Sequence, residues 1–306
     1  MKTKWIPIVF LFMGINSAKT ETPDMTYSLD QVNAYHARFN LANWDDGGSL
    51  MRYVFLRMTE FWNHTLVPRS GPVEIMPLSL REDASSFITT TSDGKISLQE
   101  YVENSTVNGA IVVHQGKIVF EAYPRMLKED KHLYMSVAKA FTGTLIALLE
   151  ERGLIDVNKP IEAYLPALKS SGWEGVPIID ILDMASGIDC LEGEEGAYSN
   201  PETCYYQFEA SLGWVRPTAN TPSSTYEYMS TLESQRPSGK SFQYTSPNTF
   251  VLGWLAESVT GESYASLLST EIWQKIGAEA DAVISSPKRG VPIAHAGISS
   301  NLRDMA

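Results

Sequence analysis

Ser136-Val137-Ala138-Lys139 follows the polar stretch Lys131-His132-Leu133-Tyr134-Met135 and opens a strongly helical run, Ala140 to Arg152, closed by Gly153. Residues three apart on a helix share a face, so this spacing lets the Ser136 hydroxyl meet the Lys139 amine. A serine at a helix N-terminus also sits in the positive potential of unpaired backbone N–H groups, which favours an alkoxide or oxyanion there. A lysine held beside it in a dry pocket loses its proton more readily and can act as a base. Alone, S-x-x-K arises by chance in many chains, and an N-cap serine followed by a surface lysine is its ordinary reading.

The second element is Ser241-Phe-Gln-Tyr244-Thr-Ser246-Pro-Asn248-Thr-Phe-Val-Leu-Gly253-Trp, with a tyrosine two residues before a small polar residue at the entrance to another apolar helix. With S-x-x-K upstream, this pattern resembles the β-lactamase/penicillin-binding superfamily, on the side of class C β-lactamases, S-x-x-K esterases and 6-aminohexanoate-oligomer hydrolases. Similarity to the last group is the strongest. It is carried by Gly109-Ala-Ile-Val-Val-His-Gln-Gly-Lys-Ile-Val-Phe-Glu-Ala-Tyr and Tyr134-Met-Ser136-Val-Ala-Lys139. It continues in Gly172-Trp-Glu-Gly-Val, in Asp180-Ile-Leu-Asp-Met-Ala-Ser-Gly-Ile-Asp and in Ile272-Trp-Gln-Lys-Ile-Gly through Asp281-Ala. The ordered set spans residues 105 to 306 and is far more specific than any one motif.

The chain has 306 residues, 43% of them hydrophobic, enough to bury a full core as one large or two intimately joined domains. A net charge of −12 argues against nucleic-acid binding, which needs clustered Lys and Arg. Lys2 and Lys4, the apolar run Trp5 to Ile15 and the small-residue exit Asn16-Ser17-Ala18 have the layout of a secretory signal peptide. Residues 1–18 are therefore expected to be removed, leaving an exported protein, periplasmic or extracellular, without stable membrane insertion, with an uncleaved N-terminal anchor as the alternative. Cys190 and Cys204 are the only cysteines. Export would allow them to pair and pin an acidic loop, with two free thiols as the alternative. Neither C-x-x-C nor H-E-x-x-H occurs, so neither a metal nor a cofactor is expected.

Residues 19–105 read as an N-terminal extension, which the resemblance implies wraps the main domain rather than standing as a domain of its own, with a helical, aromatic-rich stretch from Ser49 to Asn63. Residues 106–306 read as the hydrolase domain. Asn108 to Tyr123 reads as a β-hairpin turning at Gln115-Gly116. Val176 to Met184 begins a helix, residues 188–225 read as a long loop forming a wall or lid, and Thr249–Val259 and Ser263–Ile276 read as two further helices parted by Gly261. Strands before and after a helical block predict a mixed α/β (α+β) fold, an antiparallel sheet flanked by helices plus a helical subdomain. The resemblance implies the same.

What the resemblance implies chemically is acyl transfer to a small-molecule ester or amide. Ser136 would attack the carbonyl. Lys139 would take its proton, or would keep the pocket positive while Tyr244 takes it. Ser246 would hold Lys139 or the substrate carbonyl. Asn248 would substitute for it, or cap the following helix. Tyr198, in the wall loop, would contact a substrate amide. His114, His132 and His295 lack the context of a triad base and read as structural or surface residues, and no G-x-S-x-G elbow is present. Two rivals stand beside this reading: a cell-wall D-Ala-D-Ala carboxypeptidase, and a penicillin-recognising sensor that acylates without turnover. In the family a final section follows the stretch matched by Ala296-Gly297-Ile-Ser-Ser-Asn-Leu302-Arg303-Asp304. It carries the third motif and a second oxyanion-hole donor. The expectation is that the final strands are missing, and that this chain folds poorly or is inactive unless extended.

Overall fold

A capping box made by Ser28 and Gln31 starts the first helix of the computed structural model, α1 (Leu29–Arg38). The structure describes residues 26–92, 94–288 and 290–306, so the leader read over residues 1–18 lies outside the described residues. Helix α2 (Gly48–Leu56) buries Leu50, Val54 and Phe55, and strand β1 (His64–Val67) follows. A short helix α3 (Glu82–Ser85), a hairpin β2 (Ile88–Thr91) and β3 (Gly94–Ser97), and α4 (Leu98–Asn104) complete the N-terminal part. The extension packs into the main domain. Trp44, Val54 and Val67 belong to the main core, and β1 is a strand of the main sheet.

The expected hairpin is formed by β4 (Ala110–His114) and β5 (Lys117–Ala122), and both turn residues have positive φ, Gln115 at 51° and Gly116 at 69°. Strand β6 (His132–Leu133) leads into helix α5 (Ala138–Glu151). Then come α6 (Ile178–Leu182), α7 (Cys204–Leu212), α8 (Thr225–Met229), α9 (Ser246–Thr260) and α10 (Tyr264–Leu268). Strands β7 (Ala282–Ser285) and β8 (Ile298–Ser300) close the order. The main sheet runs β1-β7-β8-β6, all antiparallel. Helices and antiparallel sheets together give the mixed α/β architecture.

Two points depart from the sequence reading. Residues 188–225 are not one loop, because α7 lies within them. Its start is capped by Thr203, which accepts from the Tyr206 N–H, and its end by Gly213 with φ 92°. The neighbouring Gly, Pro and Glu masked a nine-residue helix that is buried along most of its length. The second helix after Gly261 is also shorter, α10 passing into a π-turn at Ser269–Trp273.

Helix α9 is buried on nearly every side in its first half, as expected of a central helix rather than an amphipathic surface one. It packs on α5, placing Phe250, Val251 and Leu255 in the same core as Leu145, Ile146 and Leu149. A Cβ on Gly253 would come within 2.9 Å of the Ala294 Cβ. Glycine there lets the segment 293–297 lie directly on α9, and that segment forms part of the site.

Candidate active site

Pairing of His132 with Ser300 and Leu133 with Ser299 sets β6 against β8, and Tyr134 N–H donates to the Ile298 carbonyl. The next residue, Met135, has φ 47°, a left-handed conformation that costs a non-glycine residue roughly 1 kcal/mol or more. Such outliers cluster at functional sites. Here it turns the chain from strand into helix with Ser136 at the corner, in a 3-10 turn just before α5.

Lys139, one turn on, donates to Ser136 Oγ at 3.0 Å and to the His295 carbonyl at 3.2 Å. Its ammonium also lies 4.8 Å from the ring centroid of Tyr244, a cation–π contact. The structure thus brings Ser136, Lys139 and Tyr244 together. Between Lys139 and Tyr244 the contact it shows is to the ring face.

A cavity of about 340 Å³ opens beside Ser136, and Ser246 and Tyr198 line it. Ser246 Oγ donates to Glu192 Oε2 at 2.8 Å and Tyr198 OH to Glu192 Oε1 at 2.7 Å. Burial pushes the Tyr198 phenol well above its ordinary value, and the Glu192 carboxylate adds to this. Asn248 requires a correction, since neither expected role is realised. It is fully buried, accepts from Ser186 Oγ at 2.7 Å, and its amide faces Met184 Sδ at 3.5 Å. Standing inside the first turn of α9, it neither lines the cavity nor caps the helix, whose N-cap is Thr245.

Sequence reading missed Glu192 and Glu209 as side chains of the cavity and left His295 as structural or surface, whereas all three line it. Glu209 and His295 form a buried pair, Nε2 to Oε1 at 3.2 Å, and Tyr205 OH donates to the same Glu209 oxygen at 2.9 Å. Burial, reinforced by Glu209, pushes the Tyr205 phenol well up. Glu209 Oε2 and His295 Nδ1 have no protein hydrogen-bond partner. A glutamate amid the apolar run Tyr205 to Leu212 was the available signal, because a buried carboxylate needs a reason. The N-terminal segment adds Leu41, Trp44, Asp45 and Asp46 to the wall. Asp45 has its carboxyl raised by burial and by the charges of Asp46 and Glu209. His132 pairs instead with Asn108, and His114 is exposed on β4.

Cys190 and Cys204 form a disulfide that closes the loop carrying Glu192 and Tyr198. A second depression, about 430 Å³ and more open, is lined by Ser171, Glu233 and Arg236 and does not include Ser136. Among the described residues no group of three or more His, Cys, Asp or Glu side chains is placed to hold a metal ion.

The beta-lactamase family model matches residues 98–306. The chain belongs to the beta-lactamase family. Within it, the chain is similar to the 6-aminohexanoate-dimer hydrolase of Paenarthrobacter ureafaciens, 33% identical over 256 residues, which cover 83% of this chain and 62% of that one. A teichoic acid D-alanine hydrolase of Staphylococcus aureus (strain MRSA252) is 24% identical over 185 residues, 57% of this chain and 41% of the relative. A solved Bacillus anthracis structure, provisionally named a 6-aminohexanoate-dimer hydrolase, superposes with a TM-score of 0.79 at 25% identity, covering 92% of this chain and 71% of that one. The chain thus spans less than two thirds of the length of the curated relatives it matches.

Proposed function

We propose that this beta-lactamase-family chain is a serine hydrolase of the S-x-x-K type, cleaving an amide or ester of a small molecule or short oligomer through an acyl-enzyme on Ser136. The observation that carries the reading is the 3.0 Å contact from Lys139 Nζ to Ser136 Oγ at the edge of the cavity. In the reaction, Ser136 Oγ bonds to the substrate carbonyl carbon as its proton passes to Lys139 or Tyr244. The tetrahedral oxyanion then collapses, the proton goes to the departing amine or alcohol, and water cleaves the acyl-enzyme.

The charge of the cavity selects among substrates. Asp45, Asp46, Glu192 and Glu209 line it, and Lys139 reaches its edge through Ser136 and His295. An acyl chain ending in an ammonium would be attracted. That agrees with the relative named for the 6-aminohexanoate dimer, whose acyl half carries such a group. The Cys190–Cys204 disulfide and the signal-like start favour an exported location.

The test compares hydrolysis of 6-aminohexanoyl p-nitroanilide with that of its adipoyl counterpart, on wild type and Ser136→Ala. The amine-ended substrate should be favoured by on the order of tenfold or more, with loss of activity in the mutant. Turnover that persists in Ser136→Ala would overturn the assignment, and a preference for the adipoyl chain would overturn the substrate class.

A further inference from the structure

The motif Gly172-Trp-Glu-Gly-Val takes no part in the cavity at Ser136; its Gly172, Glu174 and Val176 line the second depression, about 430 Å³. The segment 233–238 supplies most of the remaining wall. Backbone bonds hold that segment in place. Asp189 N–H donates to the Glu233 carbonyl at 2.9 Å, Gln235 N–H to Gly187 at 3.0 Å and Gly239 N–H to Ala185 at 2.8 Å. Gly187 has φ 81°, and a Cβ there would fall 2.2 Å from the Arg236 carbonyl oxygen, so glycine is what lets the two strands of chain lie this close. Arg236 is thereby fixed with nothing to bond. Every other half-buried arginine among the described residues donates within the protein: Arg52 to Asn108, Arg57 to Asp130, Arg69 to Gly71, Arg125 to Val107 and Arg303 to Glu121. Arg236 keeps its Nε covered without an acceptor, and its guanidinium joins no ion pair among the described residues. Glu174 and Glu233 line the same depression, and Glu174 accepts only the Ser170 N–H, at 3.1 Å.

We propose that this depression is a second ligand site, one that takes a small zwitterionic amino acid with its carboxylate on Arg236 and its ammonium toward Glu174 and Glu233. A guanidinium cannot shed its charge, and its planar fork of N–H groups matches a carboxylate. A dianion such as phosphate would be drawn to Arg236 but repelled by the two glutamates. A ligand that is negative at one end and positive at the other meets complementary charge at both. Hydrolysis of an amine-ended acyl amide at Ser136 releases an acid of this kind, so the reaction's own product is the natural occupant. That identity rests on the proposed function; the contact with Arg236 does not.

The experiment titrates 6-aminohexanoate into the full chain by calorimetry, after Ser136 has been blocked with a fluorophosphonate, for wild type, Arg236→Gln and Glu233→Gln. Lys117→Gln, on the exposed hairpin, is the charge-matched control. Hexanoate, hexylamine and inorganic phosphate are titrated in parallel. Whatever binds in the acidic cavity does so equally in all four proteins, so the differences between them report the depression. Kd for 6-aminohexanoate should rise on the order of tenfold in Arg236→Gln and stay unchanged in Lys117→Gln. Hexanoate and hexylamine should each bind wild type more weakly, and Glu233→Gln should narrow the gap between 6-aminohexanoate and hexanoate. Equal affinity in wild type and Arg236→Gln would overturn the proposal, as would no measurable binding to wild type. Phosphate binding more tightly than 6-aminohexanoate would overturn the ligand class. Should Arg236→Gln fail to fold, Glu233→Gln decides, and an unchanged gap there counts against the site. Wild type that does not label at Ser136 would overturn the nucleophile assignment alone, since the comparison of unblocked wild type with Arg236→Gln still decides the second site.

Discussion

In the proposed reaction Lys139 is the residue on which the chemistry turns, because it touches three things at once: the Ser136 hydroxyl, the His295 carbonyl and the face of Tyr244. General acid–base groups contribute typically 10²–10⁴-fold, so Lys139→Ala should lower kcat/KM by about that factor with little change in Tm. Steady-state kinetics beside a melting curve checks both. Tyr244→Phe keeps the ring under the ammonium and removes only the hydroxyl. A drop of about 10²-fold or more would assign proton transfer to that hydroxyl, and a drop within about threefold would leave Lys139 as the base. Ser136, Lys139 and Tyr244 were legible in the sequence because spacing on a helix and the Tyr-x-Ser element are local patterns. Glu192, Glu209 and His295 were not legible, since what makes them notable is burial and partners far along the chain. Asn248 shows the converse: a polar residue in a motif-like place turned inward to satisfy Ser186.

At the scale of elements, the wall of the cavity is a loop tied at both ends and the helix that follows it. The disulfide joins Cys190 to the first residue of α7, so Glu192 and Tyr198 are held between its ends, and Tyr205 and Glu209 follow within two turns. Replacing both cysteines by serine should cost about 3 kcal/mol in the chain-entropy account of a loop this size. It should also lower kcat/KM, as the hydrogen bonds from Tyr198 and Ser246 to Glu192 lose their frame. Chemical denaturation and kinetics on the double serine variant test this, and a variant unchanged in both would show that the loop is held by its other contacts. The hairpin at Gln115-Gly116 and the helix from Ala138 were read from the sequence with nearly their observed bounds, because turn chemistry and apolar periodicity are local. Helix α7 was hidden because its stability comes from burial and a threonine cap, in a region whose composition reads as loop.

For the whole molecule, ion pairs tie distant segments together and fix how stability responds to acid. Arg303 in the last described turn makes two 2.6 Å bonds to Glu121 on β5, and Arg152 at the end of α5 is bonded to Glu271. Burial opposes ionisation of Glu121, yet the hydrogen bonds from Arg303 and Tyr123 hold its carboxyl below the usual range. Hydrogen bonds from Arg152, then Lys275, hold Glu271 at about 2. A carboxyl whose pKa is lower folded than unfolded leaves the unfolded chain binding more protons. Its stabilisation is complete above the ordinary value of 4.5 and is lost as pH falls through the folded value. The Tm gap between wild type and Glu271→Gln should therefore be widest near neutral pH and shrink between about pH 4.5 and 2. A gap constant over that range would contradict the pairing. The mixed α/β class was legible from the sequence. That β1, from the N-terminal extension, pairs with β7 some two hundred residues later was not, since register between such distant strands leaves no local trace.

The central claim is that Ser136 is an activated nucleophile, and intact mass after exposure to a fluorophosphonate tests it most directly. The wild-type chain should carry a single adduct and Ser136→Ala none. Equal labelling of the two proteins, or none on a folded wild type, would contradict it.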